Sequence, residues 1–112
     1  MKALVTGATG FIGRRLVEKL QRDGVEVIAL VRNAPRGLPD GVRVARGDIL
    51  DPDSLGDAGA ECDRLYHLAA LITFDARRRA ELARVNGQGT ANVLSAARRW
   101  NVARTVVVSS AC

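Results

Sequence analysis

The chain has 112 residues, of which 47% are hydrophobic and 26% are charged. This balance predicts one compact globular domain and argues against a disordered chain. No apolar run approaches the ~20 residues that a membrane-spanning helix needs, and the N-terminus turns into glycine-rich sequence before a signal-peptide core can form. We therefore expect a soluble, cytoplasmic protein without a membrane partner.

The charge is basic, with 17 Lys and Arg against 12 Asp and Glu and a formal net charge of +5. Such a surface attracts anions, including nucleotides and nucleic acid. A solvated arginine-rich surface explains most of these residues, including the cluster at 77–79, so no nucleic-acid partner is predicted. Cys62 and Cys112 match no zinc or redox spacing, and no metal site is predicted. They are expected at opposite ends of parallel strands, beyond the ~7 Å that a disulfide allows.

The first thirty residues predict a βαβ unit. Residues 2–6 form a short apolar strand, and residues 11–22 place apolar side chains at helical spacing until Gly24 ends the helix. Residues 25–31 are rich in β-branched side chains and predict a second, mostly buried strand. A strand, a glycine turn, a helix and a strand in this order are typical of a parallel crossover.

The rest of the chain continues the alternation of strands and helices. The later elements are a strand at 42–45, a short helix opening at Asp51 and Pro52, a strand at 64–68, a long helix at 76–100 and a strand at 105–108. Gly87 and Gly89 predict a weak or kinked point in the long helix. The pattern predicts an α/β fold, a Rossmann-type doubly wound sheet of about five parallel strands in the order 3-2-1-4-5.

Three glycines follow the first strand directly, in the sequence TGATGFIG at residues 6–13. Gly7 permits a tight turn, Gly10 lets the backbone approach a diphosphate, and Gly13 lets the helix pack closely on the strand. The free helix amides then face the phosphates. A plain turn is the alternative, but it does not need three spaced glycines. The loop residues predicted to bind a dinucleotide are Gly7, Thr9, Gly10, Phe11, Ile12 and Gly13.

The end of the second strand bears on which dinucleotide binds. An acidic residue about 20 positions after the glycine loop would hold the ribose 2′-hydroxyl of NAD. Here Arg32 directly follows the strand with no carboxylate nearby, and an arginine suits a 2′-phosphate through forked hydrogen bonds. NADP is therefore the predicted cofactor. NAD stays open, because Arg32 can equally be an exposed residue that starts a loop.

Four further segments follow the glycine loop in a recognisable order: GDILD at 47–51, HLAA at 67–70, VNGQGTANVL at 85–94 and VVSSA at 107–111. Together with the glycine loop, these segments resemble the N-terminal half of the extended short-chain dehydrogenase/reductase family, the NAD-dependent epimerase/dehydratase group. The likeness covers essentially the whole chain at family-like spacing.

The resemblance implies a role for residues in each segment. Asp48 and the backbone of Ile49 are expected to meet the adenine ring, and Ser110 is expected to be the active-site Ser/Thr. The other residues that it implies beside the cofactor are Leu68, Ala69, Ala70, Asn86 and Ser109. Structural interpretations remain: Asp48 and Ser110 can each cap a turn. His67 can be a hydrogen-bonded histidine at a strand end and is given no catalytic role.

In the family, a Tyr-x-x-x-Lys pair beyond the fifth strand moves the proton while hydride passes to or from the nicotinamide. The only tyrosine here is Tyr66 and the only lysines are Lys2 and Lys19, so this chain lacks the pair and its own enzymatic activity is left open. The resemblance implies part of an NADP-dependent reductase, epimerase or dehydratase that acts on a nucleotide sugar or a small hydroxy/keto substrate. The alternative is a non-catalytic dinucleotide-binding regulatory module.

The chain stops just past the fifth strand, where the family continues into a C-terminal substrate domain. Residues 1–112 are therefore expected to form a partial NAD(P)-binding Rossmann domain, truncated after that strand. A truncation there leaves a sheet edge without a neighbour and apolar surface uncovered. We predict a homo-oligomer that forms through this exposed edge.

Overall fold

A computed structural model describes residues 1–33, 37–68 and 76–108. Its centre is a parallel sheet of five strands: β1 (Lys2–Thr6), β2 (Glu26–Val31), β3 (Arg43–Arg46), β4 (Arg64–His67) and β5 (Arg104–Val107). The strand order is β3-β2-β1-β4-β5, and all four neighbouring pairs are parallel. The predicted Rossmann-type fold and strand order are confirmed.

The central strand β1 and its neighbour β2 are buried on both faces, which explains their nearly continuous hydrophobic sequence. Side chains of a strand alternate between faces, so Leu4 and Val5 belong to different cores on either side of β1. The first core includes Leu65 of β4 and Trp100, and the second includes Val17. The sheet is thus held between two helical layers.

The first helix, α1 (Phe11–Arg22), has the predicted bounds. It packs Val17 and Leu20 against the sheet. Lys19 and Arg22 lie in its last turn, where cations interact favourably with the helix dipole. Because only residues 7–10 separate β1 from α1, the N-terminus of the helix lies near the carboxyl end of that strand.

The short helix after β3 is a 3-10 helix, Pro52–Leu55. Asp51 precedes it, as predicted, but its side chain makes no capping hydrogen bond. The carbonyl of Asp51 instead accepts a 3.0 Å hydrogen bond from the amide of Ser54. Trp100 fixes the end of this segment, because its indole Nε1 donates to the carbonyl of Gly56 over 2.8 Å.

The long helical segment is broken into four parts: a 3-10 turn (Ala76–Arg78), α2 (Arg79–Ala83), a π-helical turn (Arg84–Gly89) and α3 (Thr90–Arg99). The π-helical turn contains Gly87 and Gly89, where the sequence predicts a weak point. Such turns are frequent at functional sites. After this turn, α3 packs Val93 and Ala97 into the first core.

Cys62 is a buried free thiol, and burial raises the pKa of its side chain. Cys112 lies outside the described residues, so the predicted absence of a disulfide stays a prediction. Within residues 1–33, 37–68 and 76–108, no helix has both the length and the apolar character needed to cross a membrane.

Candidate dinucleotide-binding site

The glycine loop has the geometry that its sequence predicts. Gly7 adopts a φ of +74°, a conformation that side chains disfavour. The amide of Gly10 donates to the Gly7 carbonyl over 3.2 Å and closes the turn. A Cβ atom on Gly13 would overlap that same carbonyl. The absence of side chains at Gly7 and Gly13 is therefore what allows α1 to start directly against the turn.

The N-terminus of α1 is open to a ligand. Gly10 is its capping residue, no side chain caps its amides, and its first turn holds no acidic residue. The first amides of a helix lack intrahelical partners, and the helix dipole is positive there. Thr9, Phe11 and Ile12 are exposed around this end, and the Arg15 guanidinium lies 4.6 Å from the centre of the Phe11 ring. This arrangement suits an anionic diphosphate.

A buried polar chain joins the ends of β1 and β4 to α3. Oγ1 of Thr6 accepts a hydrogen bond from the amide of Leu68 over 3.0 Å and lies 2.7 Å from Nδ1 of His67. The other ring nitrogen, Nε2, lies 2.9 Å from Oγ1 of Thr90. Burial lowers the pKa of His67 and favours the neutral ring. Both ring nitrogens thus have partners, which fits a structural role for His67.

The adenine-side loop, residues 47–51, follows β3. Oδ1 of Asp48 accepts a 2.9 Å hydrogen bond from the amide of Leu50, so this aspartate does stabilise a turn. Its other oxygen, Oδ2, has no hydrogen-bond partner among the described residues and remains available to a donor on a ligand. Ser54 supports the loop: its hydroxyl accepts from the Asp48 amide over 2.8 Å and donates to the Asp51 carbonyl over 2.7 Å.

A cleft of about 280 Å³ opens beside this loop at the carboxyl ends of β1, β2 and β3. Parallel α/β sheets bind their ligands at this end of the strands. The cleft brings together Arg32, Asp48 and Ile49, which the sequence predicts in one cofactor site. The described residues that line it are Thr6, Leu30, Arg32, Gly47, Asp48, Ile49, Leu50, Arg78, Glu81 and Val85.

The sequence does not predict two of the cleft residues, Arg78 and Glu81, as part of the cofactor site. Nε and Nη2 of Arg78 donate to the two carboxylate oxygens of Glu81 over 2.9 and 3.1 Å. This pairing lowers the pKa of the Glu81 carboxyl, and the charges of Arg84 and Arg32 lower it further. Glu81 of α2 thus brings a carboxylate into the cleft, already paired with Arg78. Arg78 belongs to the arginine cluster at 77–79, which the sequence predicts as solvated surface. Its partner Glu81, three residues later, can be read from the sequence, but the position of the pair over the cleft cannot.

The remaining predicted residues are placed as follows. Leu68 is half-buried directly after β4, and its amide bonds Thr6. Asn86 is exposed in the π-helical turn, next to Val85 of the cleft. The predicted residues that lie outside the described part of the chain are Ala69, Ala70, Ser109 and Ser110. Among the described residues, no cluster of His, Cys, Asp or Glu is arranged to hold a metal ion.

The sheet order, the glycine loop and the cleft at the strand ends define a protein of the Rossmann-type fold. Residues 3–112 match the NAD dependent epimerase/dehydratase family, and the chain belongs to this family. Sterol demethylase protein B of Methylococcus capsulatus is 42% identical to it over 113 residues, covering 98% of this chain and 34% of that protein.

Two further comparisons agree with this family. A ketoreductase of Stigmatella aurantiaca, which acts on 4-hydroxy-2-methyl-3-oxo-4-farnesyl-3,4-dihydroquinoline-1-oxide, is 38% identical over 98% of this chain and 34% of its own length. A crystal structure of a short-chain dehydrogenase/reductase superfamily protein from Agrobacterium tumefaciens with bound NAD superposes with a TM-score of 0.83 at 31% identity, over 98% of this chain and 33% of that one. The chain spans about a third of the length of these curated relatives.

Proposed function

We propose that this chain is the cofactor-binding part of an NADP-dependent reductase, epimerase or dehydratase that acts on a nucleotide sugar or a small hydroxy/keto substrate. The observation that carries the proposal is the glycine loop. Its Gly7 turn and Gly13 contact bring α1 directly against the turn, and no side chain caps the amides at the start of the helix. Such a helix end suits a pyrophosphate, and the cleft beside the adenine-side loop suits the adenosine half.

The preference for NADP rests on the charges around the cleft. Arg32 is exposed at the end of β2 and, among the described residues, forms no ion pair. Both carboxylate oxygens of Glu81 accept hydrogen bonds from the guanidinium of Arg78. The guanidinium of Arg32 is therefore available to a 2′-phosphate. The relative from Agrobacterium tumefaciens holds NAD, so the choice between the two cofactors needs a direct measurement.

The reaction of the whole protein is proposed on family membership and on the ketoreductase relative. A nicotinamide cofactor supplies hydride transfer to or from a substrate carbon. In this chain, the glycine loop would orient the cofactor by its pyrophosphate, and Asp48 would fix its adenine end through Oδ2. Ser110 is proposed to hydrogen-bond the substrate oxygen. Hydride transfer would then require a proton donor or acceptor outside this chain.

Equilibrium titration with NADPH and NADH, followed by nicotinamide fluorescence, tests the cofactor proposal. We expect NADPH to bind about tenfold more tightly than NADH, since hydrogen bonds to charged groups contribute about 1.5–3 kcal/mol and Arg32 is exposed. Arg32→Ala should remove this preference and leave NADH binding nearly unchanged. Arg22→Ala, an exposed arginine at the far end of α1, is the control for net charge.

Three outcomes separate the parts of this proposal. Tighter binding of NADH than of NADPH would refute the NADP preference and leave the dinucleotide site standing. Binding of neither cofactor would refute the site itself. Cofactor binding by the intact natural protein without turnover on any hydroxy/keto or nucleotide-sugar substrate would favour the non-catalytic regulatory module.

A further inference from the structure

The adenine-side loop is held from across the molecule by the first turn of α3. Nδ2 of Asn92 donates a 2.8 Å hydrogen bond to the carbonyl of Ile49, and both residues are half-buried. Gly89 is buried directly before this turn, and a Cβ atom there would come within 2.7 Å of Cδ1 of Ile49. Both the backbone and the side chain of Ile49 are therefore seated against this helix.

Among the described residues, the other hydrogen bonds of the loop do not reach α3. The hydrogen bonds of Ser54 and of the Asp48 carboxylate join residues within the same short segment. They shape the loop but do not fix it to the sheet. The Gly47 amide bonds the Val31 carbonyl over 3.0 Å, which fixes only the point where the loop leaves β3. Beyond that point, among the residues that the structure describes, the long-range hydrogen bond of the loop comes from Asn92.

The same turn of α3 also contacts His67 at the end of β4, and His67 in turn contacts Thr6 at the end of β1, from which the glycine loop starts. Oγ1 of Thr90 lies 2.9 Å from Nε2 of His67, and Nδ1 of His67 lies 2.7 Å from Oγ1 of Thr6. Thr6 directly precedes Gly7. The two loops that face opposite halves of a dinucleotide are thus tied to one helical turn, and their separation depends on it.

We propose that Asn92 is a positioning residue for adenine recognition. It holds Ile49 so that Oδ2 of Asp48 points at the adenine amino group while the glycine loop holds the pyrophosphate. This inference rests on the proposed dinucleotide site. Asn92 itself need not touch the cofactor, because its effect is carried by the position of the loop.

The test measures how well the protein distinguishes adenine from hypoxanthine. Hypoxanthine carries an oxygen in place of the adenine amino group, so it cannot donate a hydrogen bond to Asp48. We expect the 112-residue chain to bind NADPH about tenfold more tightly than its reduced hypoxanthine analogue, the effect of one charge-assisted hydrogen bond. Asn92→Asp is nearly isosteric, removes the donor and sets a carboxylate against the Ile49 carbonyl. It should reduce this discrimination to about twofold.

Gln21→Glu is the matched control. Nε2 of Gln21 donates to the Asp40 carbonyl over 2.7 Å, far from the cleft. The same amide-to-carboxylate change there should leave the discrimination at its wild-type value. Gly89→Ala is a second variant, should Asn92→Asp fold poorly. It leaves the Asn92 amide in place but pushes on Ile49, and it should lower the discrimination in the same way.

The outcomes distinguish the inference from the proposed function. Full adenine discrimination in both Asn92→Asp and Gly89→Ala would overturn the role of Asn92 while NADPH binding still supports the site. Equal weakening of both ligands together with a lower melting temperature would also overturn it, since that is the result of general destabilisation. Failure of the wild-type chain to bind either ligand would refute the proposed function itself.

Discussion

Replacing Gly13 with alanine sets two physical effects against each other. Alanine is a better helix former than glycine by about 0.5–1 kcal/mol in a helix interior, so helix propensity alone predicts that Gly13→Ala stabilises the protein. The structure predicts the opposite. The new Cβ would overlap the carbonyl of Gly7, which is backbone and cannot rotate away as the end of a side chain could.

The magnitude follows from these two terms. Overpacking in a close-packed region costs about 1–3 kcal/mol, and the propensity gain offsets at most about 1 kcal/mol of it. We expect a net destabilisation of roughly 1–2 kcal/mol. Because relief of the overlap must move the Gly7 turn or the start of α1, cofactor binding should weaken as well, by more than the loss of stability alone explains.

Gly87→Ala is the matched control. Gly87 lies in the π-helical turn, and a Cβ there would meet no atom within 4 Å. The same substitution should therefore leave stability unchanged or raise it by up to about 1 kcal/mol. Urea unfolding followed by the fluorescence of Trp100, the single and buried tryptophan, measures both variants. Stabilisation of the chain by Gly13→Ala would refute the close approach of α1 to the Gly7 turn.

Two further predictions concern acid sensitivity and association. Burial lowers the pKa of His67 below its ordinary 6.5, so the unfolded chain takes up the proton more readily. The contribution of the neutral ring to the free energy of unfolding is complete above about pH 6.5. Below that pH the free energy of unfolding should fall by up to about 1.4 kcal/mol per pH unit. His67→Gln should flatten this dependence, as measured by urea unfolding between pH 7.5 and 5.5. The exposed edge at β5, where Val107 and Val108 are 42% and 44% exposed, should pair between chains. Light scattering that finds only monomer at high concentration would contradict the second prediction.

The sequence predicts local geometry well at positions where only one residue type fits, such as a glycine in a tight turn or at a close helix contact. The spacing of Gly7 and Gly13 predicts a turn and a close helix contact, and both occur. The alternation of apolar runs predicts the sheet, because strands buried on both faces need continuous hydrophobic sequence. Strand ends differ by one residue or so, since the last hydrogen bonds of a strand depend on its neighbours.

The site was only partly predictable. Arg32 and Asp48 could be assigned to one cleft because parallel strands end at the same edge of the sheet. Glu81 could not be, since its place over the cleft depends on how α2 lies against the strand ends. The role of Asn92 could not be predicted either. In the sequence it is one polar residue in a helix, and only the fold brings its side-chain amide to the Ile49 carbonyl.

The amino-acid sequence by itself determined the order of strands and helices and the glycine turn. These depend on periodicity and on residues close together in the chain, where the covalent backbone already limits the geometry. Only the tertiary structure decided which helix holds the adenine-side loop, which carboxylate shares the cleft with Arg32, and how Thr6, His67 and Thr90 are joined. Those are contacts between segments distant in sequence, and they exist only once burial of the two cores has fixed the helices against the sheet.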